Sequence, residues 1–143
     1  MYKLILSVNN LEEVMVWPSV PPDFGPELQQ RNGTYEGLSG DINTLGPMKL
    51  WSIPMEGAFP VGSRRPYMPA EAEEDGWRYV DFLNRNMARR IPFRITLLDN
   101  SGVCRFNDAC SVDNFSWKVK RNGDISYSLT FREYRFITES GVI

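Results

Sequence analysis

Histidine is absent from these 143 residues. With it go the commonest general base and the commonest metal ligand, and so every Ser-His-Asp or Cys-His mechanism. Cysteine is scarce: only Cys104 and Cys110 occur, six positions apart. No second pair completes a zinc motif, and a disulfide framework is not expected; both are read as buried free thiols. No apolar run approaches the roughly 18 residues that cross a bilayer. Met1 to Val8 lacks the basic region and cleavage site of a secretory signal, and Glu12 and Glu13 follow it. The expectation is a protein made and folded in a cytoplasm. Excess positive charge is missing too. A net charge of −2 argues against a nucleic-acid-coating protein, which needs clustered cations. Gly37-Leu38-Ser39-Gly40 has neither the lysine nor the following helix of a phosphate-binding loop.

What is present fits one domain spanning residues 1–143. Apolar residues make up 42% and aromatics 13%, too hydrophobic a mixture for a disordered chain. Twelve of the sixteen basic residues are arginine. Arginine suits planar, bidentate contacts at interfaces, though lineage bias in composition accounts for the excess equally well.

Period-two alternation recurs along the chain. Tyr2, Leu4, Leu6 and Val8 share one face of a first strand. Glu13 to Trp17 is a second short strand that stops at Pro18. Leu45 to Gly57 reads as a strand in which Pro54 marks an edge or a bulge. Phe93 to Asp99 and Gly102 to Phe106 flank a turn at Asn100-Ser101. Ser111 to Lys120 and Ile125 to Phe136 form a hairpin, with Asn122-Gly123 fitting a type I′ turn. Past Phe131 the apolar phase slips to Tyr134 and Phe136, which predicts a bulge or bend near Arg132.

One helix is predicted at about residues 76–90, with Trp77, Val80, Leu83 and Met87 as its apolar stripe. Asp75 can cap it, Glu71, Glu73 and Glu74 precede it, and Arg85, Arg89 and Arg90 lie at its cation-favouring end. Asp81 and Arg85 are spaced to pair on its surface. Strands on both sides of one helix, without βαβ alternation, give a mainly β (α+β) class: an antiparallel sandwich or split barrel.

For chemistry the pattern offers little. Two carboxylates suffice for glycoside hydrolysis, and Glu36, Asp41, Glu56 and Glu133 are the candidates, but no spacing selects a pair. No catalytic residue, cofactor or metal is expected. Two long irregular stretches, Pro18 to Gly33 and Ala58 to Asp75, exceed ordinary connections and mix aromatic with polar residues, as contact loops do. Within or beside them, Trp17, Phe24, Arg64, Arg65 and Tyr67 are the candidate assembly contacts.

Three segments resemble a known family. They are Met48 to Pro60, with Glu56-Gly57 followed by Phe59-Pro60; Trp77 to Ile95; and Phe115 to Phe136, with Gly123-Asp124-Ile125 and Glu133-Tyr134-Arg135. Together they resemble the N-terminal domain of LysM-bearing tail proteins of contractile-tailed phages and PBSX-type defective prophages. Met55 stands where that pattern has Phe. The resemblance implies a tail-tube-like fold and a baseplate hub or tube adaptor between tail tube and central spike, assembled as a ring with other tail proteins. It also implies a place in the virion tail, and neither a membrane nor a sequence-specific nucleic-acid partner. The family continues into a LysM module that these 143 residues do not contain, so peptidoglycan docking is not carried over. Two other readings stand beside it: a monomeric sugar- or peptide-binding module, and a carboxylate-dependent cell-wall hydrolase.

Overall fold

The structure, a computed structural model, describes residues 2–138 and 141–142. The described residues contain ten strands and one helix. The first two, β1 (Lys3–Val8) and β2 (Glu13–Val16), form a hairpin. Next come β3 (Gly33–Gly37), β4 (Gly40–Thr44) and β5 (Ser52–Phe59), then the helix α1 (Trp77–Ala88). After it run β6 (Phe93–Leu98), the long β7 (Cys104–Val119), β8 (Ile125–Glu133), β9 (Ile137–Thr138) and β10 (Gly141–Val142). Six strands make one sheet in the order β2-β1-β6-β7-β8-β5, with antiparallel neighbours throughout; β3–β4 and β9–β10 are separate ladders. The chain is mainly β with one helix, as its alternation predicts.

The sheet is not closed into a barrel, because β2 and β5 remain its edges. It curls far enough for side chains to bridge the gap. Trp17 follows β2 directly, and its ring meets Phe59, the last residue of β5, at 5.3 Å. Phe59 in turn stacks on Tyr127 of β8 at 4.2 Å and on Tyr79 of α1 at 4.9 Å. Buried polar tips are matched: Trp17 Nε1 donates to the Tyr127 hydroxyl (3.2 Å), and the Tyr79 hydroxyl donates to Val16 O (2.5 Å). Such pairs add about 0.5–1.5 kcal/mol each beyond area burial. The cluster and the helix together seal the split that hydrogen bonds leave open. Gly57 is part of the same fit, since a Cβ there would lie 2.9 Å from the Tyr127 hydroxyl oxygen. Pro54 sits in edge strand β5, where a missing N–H is tolerated.

Helix α1 buries Tyr79, Val80, Phe82, Leu83 and Asn86, a broader face than the predicted stripe, with Trp77 and Met87 at its margins. Gly76 is the N-cap residue, and Asp75, one position earlier, accepts from the Trp77 N–H through Oδ1 at 3.1 Å. The expected Asp81–Arg85 pair is replaced by a tertiary one. Arg85 binds Glu13, and Arg89 binds Glu12 (3.1 Å), so the C-terminal turn is fastened to the start of β2. Fully buried Asn86 joins them, donating to Phe82 O and accepting from Arg89.

One turn type and one register shift differ from expectation. At the β7–β8 hairpin the Gly123 N–H bonds Lys120 O (3.0 Å) and Lys120 N–H bonds Asp124 O (2.7 Å). Gly123 has φ 95° while Asn122 has no positive φ. This is a type I turn completed by a left-handed glycine, not a type I′ turn. The turn at Asp99–Val103 repeats the device with Gly102 at φ 81°. The register shift expected near Arg132 lies across the ladder instead, between Val112 and Asn114 of β7. Asp113, the extra residue, pairs with Arg132 at 2.8 Å, and the phase change after Phe131 is the end of β8. Of the two thiols, Cys110 is buried but Cys104 is exposed, because it begins β7 beside the Gly102 turn.

Candidate functional site

Residues 27–50 leave the domain as a two-stranded arm. Its base is the bridge between Glu27 and Ser52, the first residue of β5. Lys49 N–H to Gln29 O and Arg31 N–H to Pro47 O, both 2.8 Å, continue the pairing outward. It then becomes the regular β3–β4 hairpin, closed by Leu38-Ser39 between Gly37 and Gly40. The pairing is interrupted at Asn32, whose N–H turns back to Gln30 O (3.0 Å). Gly46 is forced at the neck: a Cβ there would sit 1.8 Å from Arg31 O. Gly46 N–H also bonds the Asn32 side chain, and Gln30 Nε2 donates to Gly46 O.

The arm is apolar where it has no reason to be on its own account. Leu28, Tyr35, Leu38, Ile42, Leu45, Met48 and Leu50 are all exposed, Leu38 completely. None belongs to the core or packs at its margin. A lone two-stranded ribbon is marginal in water, and both of its edges present unpaired backbone groups. Tyr35 faces Ile42 across the ladder, while Glu36 faces Asp41, placing two carboxylates side by side with no cation in an ion pair among the described residues. Opposed like charges are unfavourable in the isolated ribbon.

The anticipated contact residues fall elsewhere. Trp17 is 1% exposed and belongs to the core cluster, so it is no surface anchor; Phe24 is half-buried against the same core. Arg64 donates to Pro69 O and Ala72 O at 2.9 Å each, which folds its own loop. Arg65 grips both oxygens of Asp124 (2.8 and 2.9 Å), tying that loop to the β7–β8 turn. Burial alone would raise the Asp124 carboxyl, but the Val61 N–H and the Arg65 guanidinium hold it below the usual carboxylate range. Tyr67 remains exposed. Residues 58–75 thus fold back on the domain with Met68 and Ala72 buried, while Gly62, Ser63, Pro66 and Tyr67 stay exposed. Arginine is widely used this way: eight of the nine ion pairs among the described residues contain one.

The four carboxylates do not converge. Glu36 and Asp41 are at the arm tip, Glu56 is exposed on β5, and Glu133 at the end of β8 is engaged by the Trp51 N–H and Arg135. Among the described residues no three cysteine, aspartate or glutamate side chains gather as metal ligands, and no helix is long and apolar enough to cross a membrane. A cleft of about 510 Å³ lies between the β1–β2 turn and Phe136, lined also by Ser7, Phe93 and Arg94. No family model matches the sequence, and no curated protein matches it.

Proposed function

We propose that this chain is a structural subunit of a contractile phage tail or phage-tail-like particle, a baseplate hub or tube adaptor that joins tail tube to central spike as part of a ring. The observation that carries the assembly reading is the arm of residues 27–50, whose seven exposed large apolar side chains all lie outside the core and its margin. Burying three of them on a partner gains roughly 5–9 kcal/mol before the costs of association. The arm's root is bridged to β5 at Glu27–Ser52, and strand addition along the arm's open edges supplies further contacts. The specific tail role rests on the resemblance of the three segments that include β5, α1 and the β7–β8 hairpin. The test is capture of the tagged protein from cells producing such particles, followed by mass spectrometry. Tube, sheath, spike or baseplate proteins in stoichiometric amounts support the reading; the protein alone, from cells shown to be making particles, contradicts it.

A second reading has one observation in its favour, the cleft beside Arg94 and Phe136. A monomeric module for a sugar or peptide would use it, and a ligand-dependent rise in melting temperature is its test.

A further inference from the structure

The arm and the β7–β8 turn lie at opposite ends of the same pair of strands. The arm departs at Ser52, which pairs with Arg132; the β7–β8 turn immediately precedes Ile125, the partner of Phe59. Seven residue steps, about 23 Å, separate those ends, so the arm is rooted at the far end of the strands from the turn of its own molecule. Their charges are complementary. Glu36 and Asp41 crowd the arm tip beside exposed Tyr35, Leu38 and Ile42. At the turn, Lys118, Lys120 and Arg121 are exposed beside Trp117 and Val119, and none of the three cations has an ion-pair partner among the described residues. Beside them a shallow depression of about 600 Å³ runs over Ser116, Ser126, Ser128 and Ala58, small side chains that leave room for a ribbon, and its charged lining is Lys118 and Lys120 against the single carboxylate of Glu56.

We infer that the acidic, apolar arm tip of one copy docks on the cationic β7–β8 end of a second copy. This rests on the reading of the arm as an assembly device and names its partner. The two surfaces differ and lie at opposite ends, so the contact is heterologous. Repetition gives a closed ring or an open filament, not an isologous dimer. The cations relieve the Glu36–Asp41 repulsion, and the apolar side chains of the two ends cover each other.

The test is sedimentation velocity of the whole chain over a concentration series, at low and high salt, with two charge-reversed variants. Variant one is Glu36→Lys with Asp41→Lys; variant two is Lys118→Glu with Lys120→Glu. All four positions are exposed, so circular dichroism should show both variants folded as the parent. Expected are species larger than a dimer for the parent, with association weakened roughly tenfold or more by high salt. Each variant alone should be monomeric, and an equimolar mixture should associate again, because each reversed end meets its complement. A parent monomeric at every concentration, or variants that associate as the parent does, would overturn the inference. Arm-dependent recovery of tail proteins in the capture experiment would then still leave the assembly reading standing.

Discussion

Replacing Phe59 by alanine tests how the split sheet is held. Phe59 is fully buried at the end of edge strand β5, stacked at 4.2 Å on Tyr127 and 4.9 Å on Tyr79, with Trp17 edge-on at 5.3 Å. Truncating a buried phenylalanine costs about 3–5 kcal/mol, depending on how far the site collapses. Here collapse is hindered. Tyr127 is held by Trp17, Tyr79 by Val16 O, and Gly76 already packs where an added Cβ would meet Phe59 O at 2.8 Å. The loss of two stacked pairs adds to the cavity. The expected cost is therefore near the top of the range, about 4–5 kcal/mol, from a domain total of about 5–15 kcal/mol. Urea unfolding followed by far-ultraviolet circular dichroism measures it, with a melting temperature lower by roughly 10–15 °C. Tyr35→Ala on the exposed arm is the control and should stay within about 0.5 kcal/mol of the parent. A loss below about 2 kcal/mol for Phe59→Ala would refute the claim that this ring locks the two edges together.

Burial raises the Tyr79 and Tyr127 phenols from the ordinary 10 to about 12. The unfolded chain therefore sheds these protons first, so stability is intact below pH 10 and falls as pH rises from 10 to 12. Alkaline unfolding titrations should show this, with Tyr127→Phe flattening the slope; tyrosinate absorbance showing both phenols ionised in the native protein near pH 10 would contradict it. Gly46→Ala should leave global stability nearly unchanged while speeding amide exchange across residues 29–49, because the added Cβ strikes Arg31 O in the neck of the arm. Unaltered exchange there would show that the crossing is looser than 1.8 Å implies. Leu11 is exposed at φ 70° and follows Asn9 and Asn10, which also have positive φ. Leu11→Asn should stabilise the protein by about 0.5–1 kcal/mol in urea, and a loss would show that no strain is stored in that turn.

The elements with clean periods were legible in the sequence. β1, the helix and the β7–β8 hairpin all appear because alternating or helical spacing of large apolar residues reports which face is buried. Pro54 marked an edge, and Asp75 marked the helix start. What was not legible depended on tertiary partners. Trp17 sits next to a proline-rich stretch and looks like a loop anchor, yet it closes the sheet only because Phe59 and Tyr127 arrive from distant strands. Arg64 and Arg65 look like a basic docking patch, but backbone carbonyls and Asp124 consume them. The arm was hidden for a different reason. Its pairing needs no core, so Thr34-Tyr35-Glu36 and Asp41-Ile42-Asn43 alternate over only three residues between glycines, and Leu45 to Trp51 merged with β5 into one apparent strand. The Gly37–Gly40 spacing around Leu38-Ser39 was the one available signal for a two-residue hairpin loop.

The arm is the element through which we propose that this protein assembles. The most direct test is a variant in which residues 30–48 are replaced by a short glycine-serine link, produced in cells whose own copy is removed. The domain should unfold at the parent's midpoint, since the deleted segment contributes nothing to the core. This folded variant is expected to stay out of particles and to recover no tail proteins. Incorporation at the parent's level, with intact particles, would contradict it.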